Sequence, residues 1–218
     1  MATATDFNLN GVDADQFLVG PAVILLQAVS NYTTSGDEAT GMPRYIDDVV
    51  DVSNGNPMSA DGWSYLGYTE NVAMSRNRTT VQHDSDQEAR VKTVHDTWEN
   101  TLTVTALQTT LENIQAWLQG KSGDPTNIVG APTAQEYVRL GNPTDIDYQR
   151  VAILQVDDSD YLWLYVFRKG NLRPTGGPTW TRTGRVEWPL QIDFFSDTRV
   201  TDVDDRVLRA FKTTSAIS

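Results

Sequence analysis

Nine aspartates in three short runs are the residues of this chain whose type and spacing come nearest to chemistry. They are Asp47, Asp48 and Asp51; Asp157, Asp158 and Asp160; and Asp202, Asp204 and Asp205. Clustered carboxylate oxygens can hold calcium. None of the runs carries the glycine and distal glutamate of the helix–loop–helix calcium pattern. Asp157 to Asp160 falls where a hairpin turn is needed, and Asp and Ser serve turns through their own side chains. The structural reading is therefore the better one for these runs. Only two histidines occur, His83 and His95, and cysteine is absent. That leaves little for general-base chemistry, zinc ligation or thiol nucleophiles. No nucleophile elbow, phosphate loop, zinc-protease helix or dinucleotide fingerprint is present. A sandwich-fold glycosidase would need two carboxylates, but no spacing singles out a pair. Six tryptophans invite a sugar-stacking reading. Trp63, Trp98, Trp117, Trp163 and Trp188 all lie in periodic stretches, where core is the default, and only Trp180 lies beside a Gly/Pro-rich loop. No cofactor, metal or catalytic residue emerges, and the chain reads as a non-enzyme.

Charge narrows the partners. The 218 residues carry 29 acidic and 17 basic side chains, a formal net charge of −12. A nucleic-acid backbone is gripped by clustered cations, so this balance disfavours tight binding to DNA. It does not disfavour DNA that passes without sticking. Residues 1 to 20 lack the basic start of a secretory signal. The longest apolar run, Ala22 to Leu26, is too short to span a bilayer, so no membrane partner is expected. The sequons at Asn31 and Asn77 read as coincidence without a secretory route. A cysteine-free chain suits folding in a reducing cytoplasm.

The elements that would position any site are mostly strands. Phe17–Val29 is the first candidate, and Pro21 within it predicts an edge or a bulge, because proline cannot donate to a ladder. Residues 30 to 61 form a long connection rich in Gly, Asn, Asp and Pro, with at most a short strand over Arg44–Val52. Val72–Val81 and Ala89–Leu107 are two extended arms around the polar stretch Gln82–Glu88. A helix over 110–119 follows, with Thr109 and Glu112 as a capping box and Gly120 as its stop. Leu111, Ile114 and Leu118 share one face beside Trp117.

Tyr148–Val156 and Tyr161–Lys169 are strong strands. The second is apolar on both faces, so either the subunit covers both or another subunit covers one. Arg185–Phe194 alternates: Val186, Trp188, Leu190, Ile192 and Phe194 face one way, and Glu187, Gln191 and Asp193 the other. Pro189 again suggests an edge or bulge. Asp202–Ser218 reads as a terminal segment or short strand. The expectation is a mainly β chain: an antiparallel β-sandwich or partly open barrel with one flanking α-helix. Residues 1–16 would form an N-terminal arm, 17–201 a single β domain and 202–218 a C-terminal segment, both ends mobile in the monomer.

The order of three segments carries a resemblance. Gly62-Trp63 leads into Leu66-Gly67-Tyr68-Thr69-Glu70; a long strand pair follows; then the alternating strand Thr101–Leu107 runs into the helix. This resembles the major tail tube proteins of long-tailed bacteriophages over roughly Phe17–Phe195. The resemblance implies a structural virion protein, made in the host cytoplasm. Hexameric rings would stack around a tape-measure protein, between a tail terminator and distal tail or baseplate proteins, as a conduit for DNA.

On that reading the excursion from Arg76 to Lys92 makes contacts between subunits. It offers both charge signs through Arg76, Arg78, His83, Asp84, Asp86, Glu88, Arg90 and Lys92. Glu187, Gln191 and Asp193 are candidates for the wall of the bore. The rival readings are a carbohydrate-binding β-sandwich module and the inner tube of a contractile injection machine.

Overall fold

The computed structural model describes residues 22–28, 42–52, 56–83, 92–107, 111–119, 126–127, 135–137, 148–157, 160–180, 186–198, 200 and 202–215. In chain order the strands are β1 (Val23–Ala28), β2 (Trp63–Tyr65), β3 (Thr69–His83) and β4 (Lys92–Ala106), followed by helix α1 (Leu111–Gln119). Then come β5 (Thr126–Asn127), β6 (Glu136–Tyr137), β7 (Gln149–Val156), β8 (Leu162–Pro174), β9 (Thr179–Trp180), β10 (Val186–Phe194) and β11 (Leu208–Lys212). Strands β5 and β6 pair only with each other. The other nine form one antiparallel sheet in the order β2-β1-β7-β8-β10-β4-β3, with β11 beside β8 and β9 beside β10.

The sheet is open but strongly curled. Its two edges are β2 and β3, and only Leu66, Gly67 and Tyr68 separate them in sequence. That connection spans at most about 14 Å. Gly67 has φ 81°, a left-handed turn that suits glycine. The Leu66 N–H donates to the Ile24 carbonyl at 2.9 Å, and Thr69 Oγ1 donates to the Ala22 carbonyl at 3.1 Å. The edges therefore converge at one end, which makes the sheet a partly open barrel.

Strand β8 is the pivot. Along one flank it keeps β7; along the other it pairs first with β11, over Trp163–Phe167, and then with β10, over Gly170–Pro174. A register irregularity between the Gln149 and Val151 pairs changes which side chains face inward. Before it Tyr165 and Phe167 meet the main core; after it Leu172 does. Gly170 sits at the crossing, where an added Cβ would lie 2.9 Å from Ile192 Cγ2 and 3.1 Å from Val151 Cγ2.

Two cores flank the sheet. The first gathers Ile24 and Leu26 of β1, Val151 and Ile153 of β7, Leu102 and Val104 of β4, and Leu190, Ile192 and Phe194 of β10. Helix α1 closes it through Ala116, Ile114 and Trp117, the last edge-on to Trp188 at 5.5 Å. Thr109, Gly120 and the Glu112 side chain, on which the expected cap and stop rest, lie outside the described residues. The second core lies on the opposite face of β1, β7 and β8. There Met42, Val49, Val50 and Trp63 cover Leu25, Leu154, Leu162, Leu164 and Val166. The two-faced apolar strand is thus covered on both faces by its own subunit.

The cover comes from the segment expected to be a loop with a short strand. Instead it folds into two single-turn 3-10 helices, Ile46–Asp48 and Ser59–Asp61, and one bridge between Val50 and Pro57. A buried relay fastens it. Arg150 Nη1 donates to Gln27 Oε1 at 2.8 Å, and Gln27 Nε2 donates to the Asp61 carbonyl.

Two expectations are corrected. Strand β1, which begins at Val23, is internal rather than an edge, since β2 and β7 flank it. Residues 17 to 21 lie outside the described residues. Strand β10 is also central, between β4 and β8. Pro189 is tolerated because its lost donor falls where the neighbour changes from β9 to β8; the loop residue Thr175 donates its N–H to the Pro189 carbonyl there. Of the two readings of Asp202–Ser218, the short strand holds: Leu208–Lys212 pairs with β8. Lys212 lies over the rings of Tyr161 and Trp163 at 4.3 and 4.5 Å. Residues 1 to 16 lie outside the described residues.

Candidate functional site

The β3–β4 hairpin is the longest element, with 15 residues in each strand. Strand β10 accompanies β4 only from Ala106 to Asn100. Beyond that point, among the described residues, Lys92–Glu99 pairs with β3 alone. Eight residues of strand rise about 26 Å, so the distal hairpin extends that far past the end of β10, its flanking strand. Two register shifts bend it, one between Glu70 and Ala73 and one between Thr79 and Thr80. Asn71 occupies the first with φ 55°. Bulges of this kind raise the local twist.

The two faces of the hairpin differ. On one, Val104 and Leu102 enter the main core. The same face continues past the end of β10 with Met74, Arg76 and Trp98, and nothing described covers it. Met74 is 57% exposed and Trp98 48%. The Arg76 guanidinium lies 4.2 Å over the Trp98 ring. Trp98 was expected in the core, and it is not there because the covering strand stops at Phe194. Arg78 stands opposite Trp98 in the ladder, and His83 opposite Lys92 makes its last described pair. Asp84, Asp86, Glu88 and Arg90 lie outside the described residues.

The other face is polar and continuous across four strands. Glu187, Gln191 and Asp193 share it on β10. Gln191 faces Thr103 on β4 and Arg173 on β8; Asp193 faces Thr101 and Asn171. Ser75 Oγ and Thr101 Oγ1 extend it toward β3 at 2.6 Å. Asp193 accepts from Gln191 Nε2 and from Arg173 Nε, each at 2.6 Å. The Arg173 charge is therefore matched on the spot. Thr101, Thr103, Thr105 and Asn171 were not singled out from sequence. The Thr-x-Thr-x-Thr alternation of β4 was the available signal, but it does not say which sheet face stays wet.

One aspartate of each run holds a turn or a helix start. Asp157 Oδ1 accepts the Tyr161 N–H at 2.9 Å and Oδ2 accepts Trp163 Nε1 at 2.8 Å. Asp48 Oδ2 accepts the N–H groups of Arg44 and Tyr45, and Asp202 Oδ1 accepts that of Asp204. Asp157→Ala should therefore cost about 1–3 kcal/mol in urea unfolding, because two partly buried donors lose a charged acceptor. Calcium should leave the wild-type midpoint unmoved; a calcium-dependent rise would restore the metal reading.

What remains is one long hairpin that outruns its neighbour β10, one polar sheet face and no converging set of reactive groups among the described residues. A family model described as phage tail tube protein matches residues 33–205. The chain belongs to that family. No curated protein matches it. A phage tail tube protein is a structural, non-enzymatic component of the virion tail, and the family implies self-assembly within the tail. The matched span runs from before β2 to beyond β10, so it takes in both the hairpin and the polar face. For this tail tube protein, the chemistry of interest is recognition between surfaces.

Proposed function

We propose that copies of this chain close into hexameric rings that stack into a tube around a tape-measure protein. A tail terminator and distal tail or baseplate proteins bound its ends, and DNA later moves down the bore without specific binding. The distal hairpin is the element that joins subunits, between stacked rings. The observation that carries this is the eight-residue stretch Lys92–Glu99, which among the described residues pairs with β3 alone. A long exposed ribbon is a liability in a monomer and serves a neighbour in an assembly.

The polar face of Glu187, Gln191, Asp193, Thr101 and Thr103 supports a bore lining that does not hold phosphate. Amides, hydroxyls and carboxylates add no cationic contact along the path. Their weak repulsion is screened within about 10 Å at 0.1 M salt.

Deletion of residues 82–88 tests the joining role. The shortened protein should keep its circular dichroism spectrum and thermal midpoint but form no tubes under the electron microscope. Tubes of normal length from the deletion would refute it.

A further inference from the structure

A tube of one subunit type needs a head-to-tail contact, in which one end of each copy grips the other end of the next. The β4–β10 pairing has two ends, one at Asn100 and the other where Ala106 meets Trp188. Beside each end stands an exposed tryptophan. Trp98 stands at the base of the distal hairpin with Met74 on the same face. Trp180 stands at the other end, in β9, opposite Val186, and is 70% exposed. Bulky indoles left in water are the side chains that most often anchor interfaces.

Both tryptophans are held in place. Trp180 meets Trp188 edge-on at 6.4 Å, and Trp188 meets Trp117 edge-on at 5.5 Å. The Trp180 ring is thus braced from the core rather than swinging on a loop. At the opposite end the Arg76 guanidinium lies 4.2 Å over the Trp98 ring. A guanidinium plane has two faces. Trp98 takes one, and the exposure of Arg76 leaves the other accessible. An indole is the side chain best suited to cover it.

We propose that the patch of Met74, Arg76 and Trp98 on one copy docks on Trp180 of the next copy, with Arg76 held between two indoles. The occupant is a second copy of this chain, because the family assembles by self-association. This rests on the tube reading above and adds to it the contact that sets register between successive copies. Trp98 lies two residues past the last β10 pair, on the stretch of β4 that β10 leaves uncovered.

The chain has no cysteine, so introduced thiols would be its only ones. In the double variant Met74→Cys, Thr179→Cys, a short bis-maleimide should link chains into a ladder, and each single variant should stay unlinked. Dimers from Met74→Cys alone would mean a symmetric contact and overturn the proposal. Trp180→Ser and Arg76→Glu should keep the monomer fold and raise the concentration needed for tubes by at least about tenfold, the scale of a desolvated cation–π pair.

Tubes at the wild-type concentration from both variants would also overturn it. The deletion of residues 82–88 separates the two ideas. If the deletion blocks tubes while Trp180→Ser and Arg76→Glu do not, the docking contact is wrong and the joining role of the hairpin stands. If the deletion forms tubes and the ladder still appears, the contact is right and the hairpin tip is dispensable.

Discussion

Phe194→Ala should remove about 3–5 kcal/mol from the unfolding free energy, the range seen when a buried phenylalanine is truncated. Total stability of a domain is about 5–15 kcal/mol, so this one change consumes a large fraction of it. The reason is position. Phe194 is 5% exposed and stacks flat on Phe167, with ring centroids 3.7 Å apart. It also closes the line across the sheet at which β8 changes neighbours: it pairs with Gly170 on one side and with Asn100 on the other. Its loss would open a cavity where the two halves of the curled sheet meet. Gly170→Val should act from the opposite direction, forcing its added atoms into Ile192 and Val151. The control is next door. Phe195 is 42% exposed, and Phe195→Ala should stay within about 1 kcal/mol of wild type. Urea titration of the three variants decides the matter; equal costs at 194 and 195 would mean that the core is elsewhere.

Lysines placed on the polar face should slow DNA passage sharply and in a salt-dependent way. The variant to make is Gln191→Lys with Thr103→Lys. The two positions face each other across β10 and β4, and neither enters a core. Arg173 is matched by Asp193 at 2.6 Å, so the existing cation there is largely spoken for. New ammonium groups would outnumber that carboxylate. Each phosphate contact steepens the salt dependence of binding, and contacts repeated by every subunit multiply. Ejection should slow by at least about tenfold at low salt and recover as salt screens the wall. Ejection at the wild-type rate from tubes of normal length would show that this face does not line the bore.

Much of the fold was legible because it rests on periodicity. The alternation of β10 was visible as Val186, Trp188, Leu190, Ile192 and Phe194 against Glu187, Gln191 and Asp193, and the structure keeps that division. The long paired arms of β3 and β4 were visible for the same reason; of the expected face of α1, Ile114 and Trp117 pack on the main core, with Ala116 beside them in place of Leu111 and Leu118. What was not legible depends on neighbours distant in sequence. Trp98 obeys the same alternation as Leu102 and is nevertheless exposed, since only the end point of β10 decides whether it is covered. Pro189 looked like an edge residue, and only a change of partner strand makes it harmless in a central one. The covering segment of residues 42–62 has no periodic pattern. Its burial depends on Gln27 and Arg150, which no local rule would link to Asp61. The candidate surfaces were legible to the level of the element: the excursion from Arg76 to Lys92 and the wet face of β10. The cation over Trp98 and the pairing of Asp193 with Arg173 were not, because both are cross-strand contacts set by register.

The double-sided burial of β1, β7 and β8 has a consequence for how the molecule breathes. Amide protons of these strands exchange with solvent only when both cores open, so their exchange should track global unfolding. The amides of Lys92–Glu99 need only the hairpin ladder to fray. One chain thus carries a steep gradient of local opening, from a slow interior around Leu154 and Leu164 to a fast ribbon at its far end. The subunit can be fully folded while its longest element still samples conformations. That ribbon would then lose its freedom last, on the surface of a neighbour.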